Sequence, residues 1–223
     1  MSGALASHAR ELNEGIAALG LVLPQETVDR LLAFGELLLK WNRVYNLTAL
    51  RDPREVITHH LLDSLAVLPW VGGLGKLADI GSGGGLPGIP LAIVRSGLVV
   101  SSVETVNKKA TFQQQAKIEL KLGNFSVINA RVEQVQPDRL PGGAADGVIS
   151  RAFSSLADFV NLAGHLVAEG GALYAMKGVH PADELAVLPA GWALSEVHPL
   201  TVPGLDAERH LLIIRRSPAG HAA

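Results

Sequence analysis

The stretch Leu77-Ala78-Asp79-Ile80-Gly81-Ser82-Gly83-Gly84-Gly85-Leu86-Pro87-Gly88 decides the fold of this chain of 223 residues. An apolar run ends in closely spaced glycines, and a proline follows at a place where a helix can begin. Glycine permits positive φ and allows the backbone to come close to a ligand. The stretch therefore predicts a strand, then a ligand-binding turn, then a helix.

Beyond this stretch, short apolar runs alternate with helical stretches, which is typical of a parallel sheet covered on both faces. The last two predicted strands have no helix between them, so we expect an antiparallel hairpin at the end of the sheet. Gly170-Gly171 indicates the stop of a helix. The predicted strands are 77–81, 99–104, 126–130, 147–150, 173–177, 192–202 and 209–215, and the predicted helices lie near 87–96, 106–122 and 155–168.

The region before the sheet predicts helices. Apolar side chains recur there every three or four positions, as one face of a helix requires, at Leu5, Ala9, Leu12, Ile16 and Leu19. A further helix is predicted to begin at Asp52-Pro53, with Asp52 as its cap, and to run to Pro69. We therefore expect a helical extension over residues 1–70 and a sheet domain over residues 71–223.

Composition narrows the classes of function. The chain has no cysteine, which excludes disulfides, thiolate zinc sites and a cysteine nucleophile. With 19 basic and 21 acidic residues the net charge is −2, so any contact with nucleic acid must come from a local patch. No apolar run is long enough for a transmembrane helix, and the start at Met1-Ser2-Gly3 lacks a signal-peptide pattern. The sequence predicts a cytoplasmic protein without membrane contact.

Two cofactors fit the glycine turn. Gly83, Gly85 and Gly88 match the G-x-G-x-x-G pattern of dinucleotide-binding folds, which is weak evidence alone. Asp79, two residues before Gly81, favours S-adenosylmethionine, because its carboxylate can approach the cationic amino acid end of that molecule. The same carboxylate would repel a pyrophosphate. We therefore prefer the methyl donor, with an NAD(P)-binding oxidoreductase and a turn without a ligand as alternatives.

Further candidates follow the other strands, whose carboxyl ends meet at one edge of a parallel sheet. Glu104, after the second strand, can accept the hydroxyl protons of a ribose. Val132 and Glu133, after the third strand, can hold the edge of an adenine, although an acidic residue at a helix start also suits the helix dipole. Arg151, after the fourth strand, can contact the donor, the acceptor or a neighbouring carboxylate.

Six stretches in order, spanning about residues 38–214, resemble the family of bacterial 16S ribosomal RNA guanine-N7 methyltransferases, also called the glucose-inhibited division protein B family. The resemblance implies an α/β fold of the Rossmann-like, class I S-adenosylmethionine-dependent type, with a mostly parallel seven-stranded sheet. It implies methylation of a guanine N7 in the 530 loop of 16S ribosomal RNA, within the small ribosomal subunit or an assembly intermediate. The six stretches are 40–48 (KWNRVYNLT), 60–64 (HLLDS), 79–90, 146–152 (DGVISRA), 176–178 (MKG) and 208–211 (ERHL).

The resemblance also implies the donor contacts. The positions that match the donor-binding motifs of the family are Gly81, Leu86, Val132, Glu133 and Arg151. The family often has Asp where this chain has Glu104, a longer side chain that could still reach a ribose. Guanine N7 has a free lone pair, so the reaction needs no general base, and we expect no catalytic base and no metal.

RNA contacts are expected from a local basic rim. His60 and Asp63 share a helix face and are candidates to orient the acceptor, with a helix-to-domain hydrogen bond as the alternative. Lys177 and Arg209 lie at the ends of late elements and can reach phosphates, although solvated surface charges are equally consistent. The rival function is a non-enzymatic RNA-binding assembly factor on the same fold. A monomer is the expected state.

Overall fold

The computed structural model describes residues 4–151, 153, 155–179 and 181–217. Met1-Ser2-Gly3 and Ala152, the last residue of the fourth resembling stretch, lie outside the described residues. The strands are β1 (Lys76–Ile80), β2 (Val99–Val103), β3 (Phe125–Ile128), β4 (Ala145–Ser150), β5 (Val167–Lys177), β6 (Trp192–Pro199) and β7 (His210–Arg216). They form one seven-stranded sheet in the order β3-β2-β1-β4-β5-β7-β6.

The sheet is parallel except at one end. β1 pairs with β2 and β4, β2 pairs with β3, and β4 pairs with β5, all in parallel. β7 runs antiparallel to both β5 and β6. The chain moves outward from β1 to β3 and then returns to β4 on the other side, which makes a switch point where ligands bind in such sheets. The predicted Rossmann-like sheet with an antiparallel end hairpin is confirmed.

Helices precede the sheet and connect its strands. Before β1 lie α1 (Ala9–Ala18), α2 (Gln25–Tyr45), α3 (Pro53–Val56), α4 (Asp63–Leu65) and α5 (Leu68–Val71). Between the strands lie α6 (Gly88–Val94), α7 (Asn107–Glu119), α8 (Leu156–Ala163) and α9 (Ala182–Leu185). In the described part of the chain, no helix combines the length and the apolar character that a bilayer crossing needs.

The boundary between α8 and β5 differs from the expected one. The helix ends at Ala163 rather than near residue 168, and a 3₁₀ turn, Gly164–Leu166, leads directly into β5. The interpretation of Gly170-Gly171 as a helix stop is wrong, because both glycines lie inside the strand. Gly170 has a φ of 76°, and the pairing of β4 with β5 is irregular here. The two glycines therefore permit a β-bulge.

The segment after α2 is a helix with an irregular centre. Asp52 caps it as predicted, because its carboxylate accepts a hydrogen bond from Arg54 N–H at 2.8 Å and Pro53 occupies the first turn. Residues Ile57–Leu62 then form a π-helix, and α4 ends at Leu65 instead of reaching Pro69. Such π-helical turns are rare and frequently occur at functional sites.

The N-terminal helices and one face of the sheet share a continuous apolar core. Leu12 and Leu38 on helices belong to the same buried cluster as Leu77 and Ile213 on strands. A second cluster covers the other face, where Phe159 of α8 is buried. The shared core fixes the helices against the sheet and carries the π-helical turn to the carboxyl ends of the strands.

Candidate functional site

The glycine turn lies at the carboxyl end of β1, at the switch point of the sheet. Gly81, Gly83 and Gly85 have φ of 66°, 57° and 79°, so each uses the conformational freedom that the sequence suggested. A Cβ at Gly85 would lie 2.3 Å from Ile89 Cδ1, whereas a Cβ at Gly83 would meet only Lys109 Nζ at 4.0 Å. The turn therefore packs against α6 through Gly85 and leaves space beside Gly83.

Leu86 closes the turn from the inside. Its side chain is buried, and its N–H donates a hydrogen bond to the Ser82 carbonyl at 2.9 Å. The residue thus contributes to the shape of the turn, while its predicted contact with a donor stays a prediction.

Two buried side chains hold the Gly83 peptide. Glu104 accepts hydrogen bonds from Gly83 N–H and Val106 N–H, both at 2.7 Å. Gln113 of α7 donates hydrogen bonds to the Gly83 carbonyl and to Ser82 Oγ, both at 2.8 Å. Sequence reasoning found Glu104 from its place after β2 but missed Gln113, because nothing local distinguishes a buried glutamine within a helix.

Asp79 is a fully buried carboxyl group behind the turn. Its Oδ2 accepts a hydrogen bond from Gly88 N–H at 2.8 Å, and its Oδ1 has no hydrogen-bond partner among the described residues. Burial raises the pKa of Asp79 to about 7, against the lowering effects of Gly88 N–H and the Arg151 charge. A buried carboxyl oxygen without a partner is unfavourable, so it suits a cationic or hydrogen-bonding ligand group.

A cavity of about 290 Å³ lies beyond the ends of β1 and β2, and Gly81, Val132 and Glu133 line it. Val132 is buried, whereas Glu133 is exposed and accepts a hydrogen bond from Arg131 at 3.1 Å. The backbone N–H of Glu133 itself, and then Arg131, lower the pKa of the Glu133 carboxyl group. Thr105 and Phe153 line the same cavity.

Thr105 and Phe153 were missed by sequence reasoning. A usable signal was present, because Thr105 directly follows Glu104 and Phe153 comes two residues after Arg151. Both therefore lie just past strand ends that the sequence had already marked.

A second cavity of about 380 Å³ brings together five side chains that were predicted from separate parts of the sequence. Its lining includes His60, Asp63, Arg151, Lys177 and Arg209. Leu50, His59, Met176 and Gly178 complete it. In the ranges that the structure describes, no group of three or more His, Asp or Glu side chains is arranged to hold a metal ion.

Asp63 lies at the centre of the polar contacts in this second cavity. The side chain is 1% exposed, Oδ2 accepts a hydrogen bond from Arg151 Nη1, and Oδ1 accepts one from Arg209 Nε, each at 3.0 Å. Asp63 therefore makes the helix-to-domain contact that was one of its two predicted roles. Lys177 Nζ forms an ion pair with Glu184 at 3.0 Å, so part of its charge is balanced inside the protein.

His60 is buried and neutral. Its Nδ1 donates to the His59 carbonyl at 3.0 Å, and its Nε2 lies 2.8 Å from Thr48 Oγ1, which must then act as the donor. Burial, together with the charge of Arg151, lowers the pKa of His60 to about 4. Both ring nitrogens are thus engaged within the protein, where they fix the loop that carries Thr48.

A doubly wound sheet, a glycine turn at its switch point and a carboxylate after the second strand define the Rossmann-like class I S-adenosylmethionine-dependent methyltransferase fold. Solved methyltransferases share this fold. A putative methyltransferase from Escherichia coli, yhhF, has a TM-score of 0.52 at 20% identity, with 70% of this chain and 87% of that chain covered. The O-methyltransferase NcsB1 from neocarzinostatin biosynthesis has a TM-score of 0.57 at 14% identity, with 74% and 55% covered.

The chain belongs to the family described as rRNA small subunit methyltransferase G, whose model matches residues 27–212. It is 71% identical to the ribosomal RNA small subunit methyltransferase G of Azoarcus sp. (strain BH72), with 95% of this chain and 98% of that protein covered. The protein of the same name from Aromatoleum aromaticum is 62% identical, with 94% and 99% covered. The family predicted from the six stretches is therefore confirmed.

Proposed function

We propose that this protein transfers a methyl group from S-adenosylmethionine to N7 of a guanine in the 530 loop of 16S ribosomal RNA. The names of its relatives support the substrate class, small-subunit ribosomal RNA. The observation that carries the proposal is a juxtaposition: Arg151 follows β4 beside the glycine turn and also lines the cationic second cavity. Two details of the proposal, the N7 atom and the 530 loop, are what the family resemblance implies.

The residues around the glycine turn have the acceptor groups that the proposed donor requires. Glu104 has lone pairs beyond those used by two backbone N–H groups, so it can also accept ribose hydroxyl protons. The partnerless Oδ1 of Asp79 suits a cationic amino group. When bound, S-adenosylmethionine supplies a methyl group that is activated by the adjacent sulfonium. The proposed donor residues are Asp79, Gly81, Gly83, Gly85, Leu86, Glu104, Val132, Glu133 and Arg151.

The second cavity is the proposed acceptor site, with His60, Asp63, Lys177 and Arg209 as its candidate residues. Arg151 and Arg209 bring two positive charges against the single negative charge of Asp63, which favours a phosphate-rich ligand. Guanine N7 needs no deprotonation, so these residues have to align the base and exclude water rather than move a proton. Such alignment can contribute roughly 7–11 kcal/mol to a reaction barrier.

The test is a methyl-transfer assay with the position mapped. Purified protein is incubated with small ribosomal subunits, or with naked 16S RNA, and with S-adenosylmethionine labelled in its methyl group. Borohydride and aniline then cleave the RNA chain at N7-methylguanosine. We expect one cleavage within the 530 loop. Label that resists this cleavage, or that lies elsewhere in the RNA, contradicts the proposed position.

The same assay separates the rival functions. Binding to subunits without transfer of label favours a non-enzymatic assembly factor, and tight binding of NADH in place of S-adenosylmethionine favours an oxidoreductase. Because the proposed substrate is ribosomal, we propose that the protein acts in the cytoplasm. We also expect a monomer, which sedimentation of the purified protein tests.

A further inference from the structure

The Asp63 carboxylate joins three separate parts of the chain at the second cavity. It stands at the start of α4, just after the π-helical turn, and is almost fully buried. Its two oxygens each accept a hydrogen bond from a different arginine, one after β4 and one before β7. Burial of an ionised carboxylate is unfavourable unless it is paired and hydrogen-bonded, and both requirements are met here.

Arg151 belongs to the donor side of this cluster. Asp79 and Ile149 are register partners, so Arg151, two residues after Ile149, emerges at the level of Gly81, where the glycine turn begins. Ser150, the residue before it, donates a hydrogen bond to the Ile80 carbonyl at 2.8 Å and ties the end of β4 to the end of β1. The charge of Arg151 is also close enough to lower the pKa of Asp79.

Arg209 belongs to the opposite side. It precedes His210, which pairs with Lys177 at the end of β5. A Cβ built on Gly178 would lie 3.9 Å from Arg209 Nη1, so this arginine borders the turn after β5. The sheet order places β5 and β7 beyond β4, on the far side of Arg151 from the glycine turn.

The protein accepts two hydrogen bonds from each guanidinium. Arg151 Nη1 donates to the His59 carbonyl at 3.0 Å in addition to Asp63, and Arg209 Nη1 donates to the Glu208 carbonyl at 2.9 Å. The Nη2 groups of both arginines have no hydrogen-bond partner among the residues that the structure describes, and both side chains line the cavity. A planar guanidinium held in this way presents its remaining donors in a set direction.

We propose that Asp63 is a positioning residue that orients Arg151 and Arg209 together, so that donor binding and RNA binding are coupled through one carboxylate. The inference rests on the proposed function. RNA that fixes Arg209 also fixes Asp63 and thereby Arg151, so part of the ordering needed for the donor is already complete. Reciprocity requires the donor to favour RNA binding by the same factor.

The experiment measures binding of S-adenosylhomocysteine, the demethylated donor, by calorimetry without and with saturating small subunits. For the wild-type protein we expect the subunits to tighten this binding by on the order of tenfold. For Asp63→Asn we expect the subunits to have no effect, because the two arginines donate to different oxygens and the amide NH2 group that replaces one of them cannot accept a hydrogen bond. Asp146→Asn is the matched control, since Asp146 accepts from Gly75 and Lys76 N–H at the opposite end of β4, and its coupling should equal that of the wild type.

A second variant keeps the test informative if Asp63→Asn does not fold. Arg209→Lys keeps the charge but removes the Nε donor to Asp63, so it should abolish the coupling while the circular dichroism spectrum stays that of the folded wild-type protein. Equal affinities without and with subunits in the wild type, or full coupling in Arg209→Lys, overturn the inference. Coupled binding with no methyl transfer would contradict the proposed function alone. Methyl transfer without coupled binding would contradict only the proposed role of Asp63.

Discussion

At the scale of single residues, two buried titratable groups, Asp79 and His60, make the stability of the protein depend on pH in opposite directions. The folded-state pKa of Asp79 is raised to about 7, so its contribution to stability is full below its ordinary value near 3.8 and is lost as pH rises through about 7. The folded-state pKa of His60 is lowered to about 4, so its contribution is present above about 6.5 and is lost as pH falls through about 4. The two effects partly cancel in the wild-type protein.

Replacement of Asp79 by Asn should reveal how much of the pH dependence of stability comes from the Asp79 carboxyl group. Since His60 is present in both proteins, the difference in Tm between Asp79→Asn and the wild type isolates the carboxyl group. We expect this difference to shift in favour of the variant as the pH rises from about 5 to about 8. Thermal unfolding followed by circular dichroism measures it. A difference that is constant with pH would show that the carboxyl group does not titrate in this range.

The glycines of the turn offer a second test at this scale. Gly85→Ala must place a Cβ at positive φ and also displace Ile89, so we expect a loss of about 2–5 kcal/mol in the free energy of unfolding. Gly143→Ala is the control, because Gly143 has a φ of 81° with no atom within 4 Å of the added carbon. It should cost only about 1–2 kcal/mol. Equal losses in urea titrations would refute the packing role of Gly85.

Single residues after strand ends could be predicted from the sequence because a parallel sheet gathers them at one edge. Glu104 and Arg151 were found in this way, and Asp79 from its place two residues before Gly81. Gln113 could not be found, because its burial depends on how α7 lies beneath the turn. Nor could the sequence show that one carboxylate, Asp63, holds two arginines from distant segments.

At the scale of elements, the segment from α3 to α4 presents His60 and Asp63 to the second cavity. Its start at Asp52-Pro53 is that of an ordinary α-helix, so the sequence predicted a continuous helix to Pro69. The π-helical turn at Ile57–Leu62 depends on tertiary contacts that no local pattern contains. The same limit applies to β5, where glycine suits a bulge as well as a helix stop and only the pairing with β4 decides.

The cap at Asp52 should stabilise this segment measurably. Asp52→Ala removes the acceptor for Arg54 N–H and should lower the free energy of unfolding by about 1 kcal/mol. Asp52→Asn keeps a side-chain oxygen in the same place and should leave stability nearly unchanged. Urea titrations of both variants check this. An Asn variant as unstable as the Ala variant would show that charge, rather than capping geometry, stabilises α3.

At the scale of the whole molecule, the N-terminal helices and the sheet are proposed to unfold together because they share one core. Leu12 of α1 is fully buried in that core, so Leu12→Ala should cost about 2–5 kcal/mol. We expect one transition at lower temperature, with coincident changes in circular dichroism and tryptophan fluorescence. A separate early transition of the helices would instead support independent units at 1–70 and 71–223.

The most direct test of the central claim is a crystal structure of the protein with S-adenosylhomocysteine. We expect the ribose hydroxyls at Glu104, the adenine beside Val132 and the amino group towards Asp79. Electron density for the ligand away from the glycine turn, or a turn that stays empty at saturating ligand while the protein methylates RNA, would contradict the account.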